Sequence, residues 1–407
     1  MLSGAAARYG DFLRRPDVAR MLALALVSRM PIGMLSLAML MHVRTLSASF
    51  TTAGITLGVF LAAAGTTAPV IGRIVDRVGP RVPLIVTSLV YSTALGVLIV
   101  AGPLQLSAPA MVVLAGVAGA FAPPITVLTR TMWRYRFDDE RDRRTAFSLD
   151  AVLIELAFTI GPALIAALLA FGSAMLAYAV AWCFCAASVP LFLVSPALKY
   201  WRHEPDAKRG LLGPLSNARL LNVYASTFLF TFSLGMLEVG YPGFATAAAW
   251  PALAGILLAI NSGGSAIGGF AYGAMHVAPN YERTVPILLA VMAVPIALHA
   301  ATTSPWLLAT LALAAGFLIA PVMTMFTMLI TANAPSRYAT EAFTWSTTCI
   351  VGGLGAGYAL GGRVVEGSGA AAAFGCSAGI ALAAAASALG LHQIARRSKQ
   401  LRDADGR

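Results

Sequence analysis

Gly72-Arg73-Ile74-Val75-Asp76-Arg77-Val78-Gly79-Pro80-Arg81 is a short charged stretch set between two long apolar runs, and its setting decides how the chain folds. The run before it covers roughly 51–72 and the run after it 83–102. Each is about 20 residues long, the length a helix needs to cross the hydrocarbon of a bilayer. The same alternation of apolar run and polar break continues along all 407 residues. Hydrophobic residues make up 58% and charged residues only 11%, with a mean hydropathy of +0.79. A soluble domain carries about 25% charged residues, so this chain cannot cover its own surface in water. Lipid must cover it, and in lipid every backbone polar group has to be satisfied within the protein. The runs are continuous rather than alternating, which selects helices over a barrel.

Twelve spans follow from the apolar stretches: 19–43, 51–72, 83–102, 107–131, 145–170, 172–195, 218–242, 247–273, 284–302, 304–330, 339–362 and 369–393. The net charge of +11, from 28 Lys and Arg against 17 Asp and Glu, is not spread evenly. With the N-terminus in the cytoplasm, Arg73, Arg77, Arg81, Arg134, Arg136, Arg141, Arg143, Arg144, Lys199, Arg202, Lys208, Arg209, Arg283, Arg337 and the Arg396-Arg397-Ser398-Lys399 tail fall on the inner side. Only Arg44 and Arg363 fall outside. That bias is the positive-inside pattern. It explains the basic balance without nucleic acid, and it places both termini in the cytoplasm. Residues 1–17 read as a short cytoplasmic lead-in without a cleavable signal.

The chain divides into a first half at 1–195, a polar linker at 196–217 and a second half at 218–407, each half with six spans. The halves repeat. Gly58-Val59-Phe60-Leu61-Ala62 resembles Gly255-Ile256-Leu257-Leu258-Ala259, and Gly72 aligns with Gly269. Ala122-Pro123 resembles Ala320-Pro321, Ala146-Phe147 resembles Ala342-Phe343, and Gly161 aligns with Gly357. Duplicated six-span units are a transporter device with the substrate site near the midplane. The alternative is two Ala/Gly-rich halves that resemble each other by composition.

The charged stretch itself resembles the loop between the second and third spans of the major facilitator superfamily, with Gly72, Asp76, Arg77, Gly79 and Arg81 in the signature places. The resemblance covers nearly the whole chain. It implies an all-α membrane protein of twelve helices in two six-helix bundles, working by alternating access. It also implies a cytoplasmic gating role for the loop. Physically, Gly72 permits close helix approach, and Asp76 at a helix end needs a cation or a helix N-terminus as partner. The alternative is that Arg77 and Arg81 only set topology. The matching loop in the second half has Gly273 where Asp76 would stand. Resemblance to the drug–proton antiporter branch is partial. Gly161-Pro162 matches the centre of its fifth-span motif, but Ile165 and Ala166 replace further glycines, and the basic place in span four falls near Val112.

Ionisable residues inside spans are costly and mark candidate sites. Arg29, in span one beside Pro31 and Met34, and Glu155, in span five, lie at similar depth and form the expected proton switch or structural pair. Asp150, nearer the inner end of span five, is expected on Arg130 or Arg144. Glu238 lies in the outer part of span seven. Pro123, Pro162 and Pro321 permit bending of spans four, five and ten. Met34, Phe121, Phe232, Met236, Met323 and Phe326 are candidates for an apolar pocket, or for plain core packing.

Cys183, Cys185, Cys349 and Cys376 lie within apolar runs and match neither a disulfide framework nor a zinc site. No metal, no cofactor and no phosphate-binding loop are expected, so the chain is not read as an enzyme. The expectation is a monomeric, multi-pass transporter of the bacterial inner membrane that exports a small amphipathic or drug-like compound against protons. Uptake of a small anionic nutrient through Arg29 is the first alternative, and a transport-dead receptor or scaffold the second.

Overall fold

The computed structural model describes residues 14–137, 139–200, 215, 217–274, 280–334 and 339–405, and among them it is all helix with no strand. In the first half α1 (Pro16–Ser47), α2 (Phe50–Val78) and α3 (Arg81–Ile99) are followed by α4 (Ala108–Ala120) and α5 (Ile125–Arg136), then α6 (Glu140–Phe171) and α7 (Ala174–Leu193). The second half holds α8 (Ala218–Ala247), α9 (Ala252–Ala274), α10 (Tyr281–His299), α11 (Pro305–Phe317), α12 (Ile319–Asn333) and α13 (Ala339–Asp405). Eleven helical stretches are long and apolar enough to cross a bilayer.

The last of these stretches, Trp345–Gly390, has 46 residues. At about 1.5 Å per residue it is more than twice the ~30 Å of hydrocarbon. Its backbone breaks at Gly369, with φ of 80°, a value glycine adopts without strain. Contacts with α8 show that the chain reverses there. Gly353 packs on Phe228, Gly357 on Gly235 and Gly361 on Val239, so this part ascends alongside α8. Beyond the break Ser377 bonds Ser233 and Ser387 bonds Ser226, so that part descends. The chain therefore makes twelve crossings, as read from the sequence.

Two crossings are broken where the repeat places its prolines. α4 and α5 are one span interrupted at Pro123-Pro124. α11 and α12 are one span interrupted at Leu318, just before Pro321. Proline removes a backbone donor and crowds the preceding turn. Pro31 and Pro162, in contrast, lie within unbroken helices.

α1 and α8 are the most enclosed spans, with 72% and 67% of their apolar windows buried against 33–44% for the others. They occupy equivalent central places in the two bundles. A duplicated node anchors each near one end. His42 of α1 bonds the Leu98 carbonyl at 2.9 Å and stacks on Tyr178. Tyr241 of α8 faces His299, which bonds the Pro295 carbonyl, and both rings meet Phe374. These positions repeat at spacings close to those of the aligned sequence motifs.

The bundles meet along two seams, α2 against α13 and α6 against α9. Both seams are lined by residues of the repeat. A Cβ on Gly58 would collide with the Gly355 carbonyl, and one on its counterpart Gly255 with the Pro162 carbonyl. Only glycine lets the backbones approach this closely.

Candidate functional site

One face of the molecule carries the ends at Pro16, Val78, Arg136 and Leu193, and is called here the termini face. The far face carries the turns after Ser47, Ile99, Phe171 and Ala247. Near the termini face a charged cluster ties the first bundle to the start of the linker. Arg136 Nε meets Asp17 Oδ2 at 2.8 Å, the Tyr200 hydroxyl donates to the same oxygen at 3.1 Å, and Arg15 pairs with Asp142 at 2.7 Å. Burial and the bond to Asp17 push the Tyr200 phenol above its ordinary range.

Deeper in the first bundle, Arg29 Nη2 lies 2.7 Å from Asp150 Oδ1, and both side chains are fully enclosed. Trp133, also buried, donates from Nε1 to the same oxygen at 3.2 Å. The group thus joins α1, α5 and α6. The sequence suggests Arg130 or Arg144 as partner of Asp150, and their side chains lie outside the described residues; the structure puts Arg29 on it. The difference arises because α1 and α6 cross closely, Gly33 seating on the Ala157 carbonyl and Gly161 on Gly33. That crossing brings Asp150, about 7 residues before Ala157, alongside Arg29, four before Gly33. The side chains of Glu155, Arg130, Arg144 and Asp76 lie outside the described residues.

A second polar group sits where the bundles meet. The Tyr358 hydroxyl of α13 donates to Glu238 Oε2 of α8, and Ser36 of α1 lies beside the same tyrosine. Glu238 lies nine residues before the end of α8 at Ala247, Ser36 eleven before Ser47 and Tyr358 eleven before Gly369. At 1.5 Å per residue all three lie about 14–17 Å from the far face, the middle of a ~30 Å hydrocarbon layer. Among the described residues no Lys or Arg lies within ion-pair distance of Glu238, and the Tyr358 hydroxyl is its hydrogen-bond partner. An acid at mid-membrane costs about 2.5–3.5 kcal/mol on insertion scales. A hydrogen bond to a charged group returns roughly 1.5–3 kcal/mol. At Arg29–Asp150, breaking a buried pair by losing one partner costs about 3–5 kcal/mol, so both charges are held.

The remaining predicted positions fall into three groups. Gly79, with φ of 84°, ends α2 by giving its N–H to Val75, while Arg77 and Arg81 are exposed and Gly72 faces open space. Met34 and Met236 are fully buried, and Phe326 nearly so, so they pack in the core; Pro31 and Pro321 are buried too. Phe121 is exposed, Phe232 and Met323 are partly buried. Sequence reasoning passed over Tyr358, Ser36 and Trp133. All three are uncharged, and only helix packing reveals what they hold.

Among the described residues the closest backbone approaches between the bundles lie in the far half. There Gly54 meets the Tyr358 carbonyl and Gly362, and Gly58 meets Gly355. Toward the termini face the same seam opens. Gly65 still touches Val351, but Gly72, two turns further on the same face of α2, meets nothing within 4 Å. The molecule is closed at the far face and splayed at the termini face.

The fold has solved counterparts. It superimposes on a nucleoside transporter, NupG, with a TM-score of 0.73 at 13% identity, covering 93% of this chain and 99% of that one. It superimposes on the human organic anion transporter MFSD10 with a TM-score of 0.64 at 16% identity, covering 92% and 99%. A POT family transporter, PepTSo, gives 0.68 at 13% identity over 95% and 98%. No curated protein sequence matches the chain. The family model of the Major Facilitator Superfamily matches residues 21–357. With the duplicated six-span bundles, the glycine seams and the charged loop after α2, this chain belongs to the Major Facilitator Superfamily of membrane transporters.

Proposed function

We propose that the protein exports a small amphipathic or drug-like solute in exchange for protons, by alternating access, with Glu238 as the proton-carrying carboxylate. The observation that carries this reading is the position of Glu238: mid-membrane, where α1, α8 and α13 come together, with a hydroxyl and no cation as its partner among the described residues. A proton arriving there weakens the bond from Tyr358, because hydrogen bonds to ionised groups are roughly twice as strong as neutral ones. The contact of α1 with α13 through Ser36 weakens with it. One protonation step thereby biases a contact between the bundles, the kind of two-state element that coupling requires.

In this reading the termini face lies in the cytoplasm of a bacterial inner membrane, an orientation that the Lys/Arg bias supports. The described conformation then opens inward. Export is favoured over anion uptake through Arg29, because that guanidinium is fully enclosed and held by Asp150. Glu155, on α6, remains a second candidate for the proton.

The test is energised accumulation of a panel of lipophilic cations, nucleosides and organic anions in efflux-deficient cells. The cells express the intact protein or Glu238→Gln. The proposal expects lower accumulation of some panel member with the intact protein, and loss of that effect in the variant. Raised accumulation would reverse the direction. Equal export by both proteins would move the proton site to Glu155.

A further inference from the structure

The far-face closure rests on a contact that no sequence motif marks. Glu366, just before the reversal of α13 at Gly369, sends its carboxylate across the seam to the start of α2. Its Oε2 accepts from the Ser49 hydroxyl at 2.6 Å and from the Thr51 backbone N–H at 2.6 Å. Ser49 is the N-cap of α2, its own oxygen accepting from Thr52 N–H. The acid therefore sits on the unpaired amides and the positive end of a 29-residue helix that belongs to the other bundle.

The local surroundings reinforce this. Arg44 covers the ring of Phe50 at 4.9 Å, fixing the first residue of α2. One turn deeper, Gly54 closes on Gly362 and the Tyr358 carbonyl. Tyr358 is the residue that donates to Glu238. From Tyr358 to Glu366 is eight residues of one helix, about 12 Å. The mid-membrane acid and the far-face cap are thus two points on one rigid segment.

We infer that Glu366 is the far-face gate residue of the transport cycle: its carboxylate holds the first and second bundles together across α2 and α13, and it must leave the α2 N-terminus for the far face to open. It is a positioning residue and touches no solute. The inference rests on the alternating-access reading but not on proton coupling or on the direction of transport.

Labelling of a half-buried seam position tests it without any transport assay. Leu61→Cys lies on α2 behind Gly58 and against Gly355. It is placed in the full chain with Cys183, Cys185, Cys349 and Cys376 replaced by alanine, reconstituted in liposomes. A membrane-impermeant charged maleimide is added from the far face. Adding Glu366→Gln is expected to speed labelling about tenfold, the factor that ~1.4 kcal/mol of lost closed-state preference produces. Glu366→Asp, which keeps the charge, is expected to fall between the two. Equal rates in the parent and Glu366→Gln would overturn the inference. So would faster labelling with the aspartate variant than with the glutamine. Failure of the proton-export reading would leave these rates unchanged and appear in the accumulation assay alone.

Discussion

Arg29–Asp150 and Glu238–Tyr358 are both polar groups buried in central helices of related bundles, yet they are built to opposite ends. The first joins full opposite charges with an indole on the shared oxygen, and neither side chain is exposed. The second joins one acid to hydroxyls and spans both bundles. Of the two similar scaffolds, one holds a buried ion pair and the other an acid facing a hydroxyl, which we propose as the proton carrier. The difference teaches that a charge in a membrane span is not by itself a working site. What matters is whether its partners hold it in one protonation state and whether they sit within one bundle or across two.

The sharpest way to break that comparison is to remove a charge from each. Asp150→Ala is expected to destabilise the protein by about 3–5 kcal/mol, since it removes the carboxylate that pairs with the buried Arg29. Thermal unfolding in detergent measures this. Replacing the pair together, as Arg29→Met with Asp150→Leu, is expected to recover most of that loss, because a well-packed apolar pair of similar volume often substitutes for a buried ion pair. A stable, unaltered Asp150→Ala protein would end the scaffold reading of this group.

Smaller effects sharpen the picture. Gly33→Ala is expected to cost about 1–3 kcal/mol by overpacking, because its Cβ meets the Ala157 backbone where α1 crosses α6. Tyr358→Phe is expected to leave folding within about 1.5 kcal/mol and to slow transport roughly tenfold, the effect of one lost hydrogen bond to a charged group. Initial-rate assays in liposomes measure it. Ser49→Ala is expected to cost roughly 1 kcal/mol through the lost α2 cap, again read by thermal unfolding. If Tyr358→Phe destabilises the protein as much as Asp150→Ala, the two polar groups are alike and the contrast fails.

Much of the fold was legible because the bilayer imposes simple rules. Run length gave the twelve crossings, and charge asymmetry gave a common face for the termini. The prolines gave the breaks in the α4–α5 and α11–α12 spans. Helix ends were harder. α1 extends from Pro16 to Ser47, beyond the apolar run at 19–43, because backbone hydrogen bonding continues into polar residues at the surface. The site was legible only in part. Glu238 stood out as an acid in a span, but Tyr358 and Ser36 carry no signal until packing places them beside it. Arg29 as a partner of Asp150 is not legible from chain proximity, because the glycine crossing at Gly33 and Gly161 is what brings the two together. Glu366 reads as an ordinary loop acid, since nothing local shows that a helix from the other half begins beside it.

The most direct test of the central claim compares two modes of transport by Glu238→Gln in liposomes, once the accumulation panel has supplied a solute. One is solute exchange at equal pH on both sides; the other is net transport driven by a pH gradient. The account predicts that exchange persists while gradient-driven accumulation is lost, because the variant keeps the cavity but carries no titrating proton. Gradient-driven accumulation at the intact protein's level would contradict it, and would place the coupling carboxylate elsewhere in the chain.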